Sequence, residues 1–161
     1  NGRTLDEATT VLTLLMFSGA FGRIVGGKLG DTIGALPGYI LMSAGQTVSV
    51  LWFPYFHSDL SLYLLAIVFG FTYSGVMSSI LVCTRNMVSA RYSGRAMSIT
   101  SFFGWIGMGT GGVVGGLLFD ATGNYDYSFT YAAGVGVINL IILGLFFMRI
   151  KTQGALKPAI A

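Results

Sequence analysis

Five apolar runs take up most of this chain, and nearly all of its charges fall between them. The runs cover residues 8–27, 36–56, 60–82, 96–118 and 129–148. Each has about the 20 residues that an α-helix needs to cross the ~30 Å hydrocarbon core of a bilayer. Only 9% of the residues are charged, where a soluble domain carries about 25%. Mean hydropathy is +0.74. None of the runs alternates, or stops near the ~10 residues of a barrel strand. The expected fold is an all-α polytopic membrane protein with five transmembrane helices and short, antiparallel connections.

Composition removes other classes. Glycine accounts for 24 of 161 residues and proline for 3, which fits glycine-packed transmembrane helices and excludes collagen-like or proline-rich disorder. The net charge of +3 is no nucleic-acid signal, because the basic residues stand beside apolar runs. Cys83 is the one cysteine and reads as a small buried residue, with no internal disulfide or cysteine metal site open to it. His57 is the one histidine and has no cysteine nearby, so no zinc site is expected. No Walker A sequence and no in-span HExxH is present, and no cofactor is expected. Residues 1–7 include Asp6 and Glu7 and start at Asn1, which does not read as a signal peptide. The expectation is a piece whose upstream sequence is missing.

Orientation follows from the Lys/Arg bias of the connections. Eight of nine basic residues fall on one side: Arg23 and Lys28, then Arg85, Arg91 and Arg95, then Arg149, Lys151 and Lys157. The other side holds Arg3 with Asp6, Glu7, Asp59, Asp120 and Asp126. The first and third connections and the tail at 151–161 are therefore expected in the cytoplasm. The Arg85–Arg91–Arg95 cluster reads as an orientation signal in contact with anionic lipid.

Glycine spacing organises two runs. Gly22, Gly26 and Gly30 recur every four residues and line one helix face, which lets a second helix approach to backbone contact. The fourth run carries three GxxxG pairs, at 107/111, 111/115 and 112/116. Close packing is expected there too, with a bending or rocking helix as a compatible reading.

The segment Gly27-Lys28-Leu29-Gly30-Asp31-Thr32-Ile33-Gly34 resembles the cytoplasmic-loop signature of the major facilitator superfamily, G-x-L-x-D-R-x-G-R-R. Thr32, Ala35 and Leu36 stand where that signature has basic residues. A second stretch, Gly115-Gly116-Leu117-Leu118-Phe119-Asp120-Ala121-Thr122-Gly123-Asn124-Tyr125, with Phe129, is similar to the end of helix 11 in monocarboxylate-transporter-like and oxalate/formate-antiporter-like facilitators. There Asp120 is expected to end the span, with Thr122-Gly123-Asn124 as the turn. The resemblance implies that the five runs correspond to helices 8–12 of a twelve-helix fold. Residues 1–150 then form a partial C-terminal transmembrane domain.

Arg23 is the sharpest site candidate. A helix continued to Asp31 puts Arg23 eight residues deeper, about 12 Å at 1.5 Å per residue. An arginine at that depth must snorkel, pair, or face a watery cavity. The resembled transporters carry an arginine at the matching place, implicated in holding substrate carboxylate, and a guanidinium suits that task by gripping with two hydrogen bonds. The other reading is an edge arginine that sets topology. Gly19 stands where animal monocarboxylate transporters place an aspartate, and the fourth run has no lysine or arginine where oxalate transporters have a lysine. Both departures favour a single-carboxylate substrate or another substrate class.

Ser18, Tyr73 and Trp105 are expected to line the cavity with Arg23. Gln46 and Asn139 are expected to need hydrogen-bond partners. Gly27, Leu29, Asp31 and Gly34 form the expected conformational loop motif, in which the resemblance implies that Asp31 meets a helix N-terminus of the other half. The resulting expectation is secondary active transport of a small organic anion, a monocarboxylate, by alternating access in a cell membrane (plasma or bacterial inner). Its partners would be that substrate, protons as coupling ion, the lipid bilayer and the N-terminal half of the same transporter, with no nucleic acid. The alternatives are a facilitator for a drug or sugar and a non-transporting, facilitator-like sensor.

Overall fold

The computed structural model describes residues 5–56 and 58–152. Arg3, His57, Lys157 and the expected tail beyond Thr152 lie outside the described residues. Five long helices follow one another: α1 (Leu5–Thr32), α2 (Ala35–Trp52), α3 (Asp59–Met87), α4 (Ser93–Thr122) and α5 (Asp126–Thr152). Short 3-10 turns at Phe53–Tyr55 and Ala90–Tyr92 lead into the second and third connections. There are no strands among the described residues.

The helix ends explain themselves locally. Asp6 and Glu7 occupy the first turn of α1, where the helix dipole favours acids, so the helix begins earlier than the apolar run. It also continues through Lys28 and Asp31, because a charge marks the water boundary and does not end a helix. Gly34 closes the turn to α2 with φ 100°, a conformation open in practice only to glycine. Pro37 is tolerated in the first turn of α2, where its missing N–H would have no helical partner. Pro54 follows the end of α2 within the 3-10 turn. Ser58 caps α3 by accepting the Ser61 N–H at 3.3 Å. α4 runs two residues past Asp120 and stops at Gly123, whose φ of 73° and N–H bond to the Phe119 carbonyl form a left-handed cap. Asn124 Oδ1 then accepts the Asp126 N–H at 3.2 Å and starts α5.

Side-chain pairs give the directions. α1 and α3 are parallel: Gly19 faces Ser74, Gly26 faces Gly75, and Gly30 faces Val82. α2 is antiparallel to α3, with Gly45 on Thr72 and Phe53 on Phe69. It is antiparallel to α5 as well, with Asn139 Nδ2 donating to Ser43 Oγ at 2.9 Å and Phe53 stacked on Phe129. α4 is antiparallel to α3 and to α5, through Tyr73–Met108 and Ser128–Gly115. Neighbours in sequence therefore alternate up and down. The ends bearing Arg85, Arg91, Arg95, Arg149 and Lys151 gather on the side of the α1–α2 turn.

Four of the helices, α1, α3, α5 and α4 counted from its leading turn, are each long and apolar enough to cross a membrane. α2 is not among the four. Its 18 residues span about 27 Å at 1.5 Å per residue, and they include Ser43, Gln46, Thr47 and Ser49. Those polar residues lower its hydropathy, but α2 lies between α3 and α5, where Ser43 and Ser49 are buried. It covers the same depth as α3 from Cys83 to Phe69, so it completes the up-and-down order. Leu36, Tyr39 and Met42 of α2 form the core with Val76, Cys83 and Leu143.

Candidate functional site

The seam between α1 and α3 fixes everything near the candidate site. Gly19, Gly22, Gly26 and Gly30 share one face of α1 and all but the last meet backbone or short side chains of α3. A Cβ at Gly22 would collide with the Phe71 carbonyl, and one at Gly70 with the Leu15 carbonyl. At Gly26 it would stand 2.7 Å from the Gly75 carbonyl oxygen. Such contact needs a glycine on at least one helix at each crossing point, which is how small-residue faces pack in a bilayer. Ser79, with no exposed surface, donates to the Gly26 carbonyl at 3.2 Å across the seam.

Ser18 belongs to this seam. It is buried, its Oγ donates to the Leu15 carbonyl at 3.0 Å, and it lies against Gly70. Its hydroxyl is thus taken up by its own helix and turned toward α3. Gly19 is similarly closed: a side chain there would meet Ser74 Oγ at 2.5 Å. An aspartate one turn before Arg23 would have to displace the Ser74 hydroxyl and crowd the Gly70 carbonyl, 3.3 Å from such a Cβ.

Arg23 sits beside the seam and is exposed. α1 is continuous from Arg23 to Asp31, which sets the two residues about 12 Å apart along the helix axis. Tyr73 stands at the middle of α3, half-buried, stacked on Phe69 with ring centroids 5.6 Å apart. Its hydroxyl donates to Met108 Sδ at 3.5 Å. Trp105 is exposed on α4, one turn from Met108 toward the basic end. The pairings Gly22–Gly75, Tyr73–Met108 and Thr84–Thr100 put Arg23, Tyr73 and Trp105 at similar depth, just to the basic side of the bundle's middle. Arg23, Tyr73 and Trp105 come from three different helices, and Ser18 is buried in the α1–α3 seam against Gly70. The contact of Met108 with Tyr73 is not legible in the sequence, because a methionine in an apolar run carries no signal of its own.

The loop-motif residues divide. Gly27 is open on its Cβ side, while Leu29 packs against the α2–α3–α5 core. Asp31 is exposed in the last turn of α1, and Gly34 makes the turn itself. The motif is therefore the end of a helix plus one glycine rather than a loop. Asn139 has the partner expected for it in Ser43. Gln46 is half-buried, with no partner for its amide among the described residues.

The fourth helix departs from expectation. None of its residues is buried, and no atom lies within 4 Å of a Cβ placed at Gly104, Gly107, Gly109, Gly111, Gly112, Gly115 or Gly116. Close packing of these glycines does not occur among the described residues. The reason is geometric: α4 touches α3 and α5 only lightly, and neither helix reaches the Cβ side of these glycines.

No curated protein and no solved structure matches the chain. A family model does, over residues 2–160, nearly the full length and all five helices. Parallel and antiparallel apolar helices, a charge-sorted pair of ends and that match agree: this chain belongs to the major facilitator superfamily, whose members carry out transmembrane transport.

Proposed function

We propose that the protein is a secondary transporter of a small organic anion, a monocarboxylate, working by alternating access in the cell membrane, with Arg23 as the carboxylate anchor. One observation carries this reading. Arg23 is exposed one turn from the middle of a helix whose glycine face is locked against α3. A permanent charge at that depth is expensive unless water or an anion meets it. Tyr73 and Trp105 at the same level supply a hydroxyl and an indole for orienting a small substrate. Substrate sites of such transporters lie near the midplane between two rocking halves, and the missing walls would come from the N-terminal half. Ser18 serves this site from behind, by setting the α1–α3 distance. The absence of lysine and arginine from residues 96–118 favours one carboxylate over two.

The test is uptake of radiolabelled mono- and dicarboxylates by the complete transporter in proteoliposomes, with and without an imposed proton gradient. Arg23→Lys keeps the charge but loses the bidentate grip, and uptake of the preferred monocarboxylate should fall at least ~10-fold. Normal uptake by Arg23→Lys, or no carboxylate moved by the wild type, overturns the reading. The search would then turn to neutral and cationic substrates such as drugs or sugars.

A further inference from the structure

At the end of the bundle opposite the basic loops, the start of α1, the Phe53–Tyr55 turn, α3 and the α4–α5 turn border a half-open cavity of about 800 Å³. That is within the ~300–1,000 Å³ of small-molecule pockets. Five aromatic rings line it: Phe53, Phe56, Phe119, Tyr125 and Phe129. The rings are held in stacked pairs. Phe53 lies on Phe129 with centroids 5.2 Å apart and planes 5° apart, and Phe119 lies on Tyr125 at 4.4 Å. Phe56 stacks on Trp52 at 5.8 Å. Pairing fixes the walls, yet Phe56, Phe119 and Tyr125 remain exposed, so ring surface is open to an occupant.

Asp126 is the one charged residue in this lining. Asp120, in the last turn of α4, adds a second carboxylate close to it along the chain. An anion is repelled from such a site. An acyl chain or an apolar helix would fill the volume without using the acid. We infer that the cavity binds an organic cation with an apolar body, held by cation–π attraction to the aromatic faces and by the Asp126 carboxylate. The site is distinct from Arg23 in place and opposite to it in charge preference.

The probe is tetraphenylphosphonium, with tetraphenylborate as its counterpart of the same shape and opposite charge. Equilibrium binding to the purified complete protein in detergent needs no transport, so this inference and the carboxylate reading fail separately. The cation should bind saturably and the anion should not. Asp126→Asn, which retains a residue suited to a helix start, should weaken cation binding about fivefold, and Asp126→Glu should restore it. Tyr125→Ser should weaken it about tenfold. A matching elution profile on size exclusion shows that each variant is folded. Equal binding of cation and anion, unchanged binding in Asp126→Asn, or no saturable binding because another part of the protein fills the space would each overturn the proposal.

Discussion

The glycines of α1 and those of α4 follow the same four-residue spacing and meet opposite surroundings. On α1, Gly19, Gly22 and Gly26 are pressed against backbone and short side chains of α3. On α4, seven glycines face open space. The difference lies in the opposing helix. α3 answers α1 with Gly70, Ser74, Gly75 and Ser79, a complementary stripe of small residues, and nothing in the described chain answers α4. In lipid, where burial of apolar area gives helices little reason to associate, close packing and interhelical hydrogen bonds hold the seam together. A small-residue stripe thus states how near a neighbour can come, and only the second stripe states which neighbour it is.

The comparison is broken most sharply at Gly22. Gly22→Val drives a side chain into the Phe71 backbone, which cannot move aside as a flexible side chain would. Destabilisation of about 3 kcal/mol or more is expected, read as aggregation or loss of the monodisperse peak on fluorescence-detected size exclusion. A folded Gly22→Val protein would mean that the seam is looser than described.

Asn139→Leu comes next. It removes the bond to Ser43 and leaves that buried hydroxyl unpaired between α2 and α5. The expected loss is about 1–2 kcal/mol, seen as a lower thermal midpoint, and Ser43→Ala in the same protein should recover part of it. Independent, additive losses would show that the two residues do not act as a pair.

The smallest effect has the opposite sign. Gly111→Ala on α4 meets no atom and relieves the entropy cost of glycine in a helix, so a gain of about 0.5–1 kcal/mol is expected for the five-helix unit. A loss comparable to that at Gly22 would show that α4 is packed as tightly as α1 and would remove the contrast.

The sequence made much of this legible. Apolar runs of helix length located all five helices, and the Lys/Arg bias sorted their ends, because both follow from the bilayer as solvent. Helix limits were less legible. Asp6, Lys28 and Asp31 lie outside the apolar run and are helical, since helices continue into the interface. The turn expected at Thr122-Gly123-Asn124 is where α4 stops, with the backbone left-handed at Gly123, so the helix runs two residues past Asp120. α2 illustrates the reverse: Ser43 and Ser49 depress its hydropathy while being buried inside the bundle.

Site residues were least legible. Ser18 looked like a cavity residue because it is polar within a span, whereas its hydroxyl bonds the Leu15 carbonyl of its own helix. Polarity along a sequence does not say which face a serine occupies. Arg23 and Tyr73 could be singled out because a deep guanidinium and a mid-span phenol each need something to meet them. Met108, which meets the Tyr73 hydroxyl, had no such mark.

The central claim is that the seam holds α1 so that position 23 faces water at mid-depth while position 18 is sealed. Cysteine accessibility tests it directly. In a Cys83→Ala background of the complete transporter, Arg23→Cys and Ser18→Cys would be treated in proteoliposomes with a charged, membrane-impermeant thiol reagent. Rapid modification at position 23, with little at position 18, is the predicted result. An unreactive cysteine at 23, or equal reaction at both positions, would contradict the account.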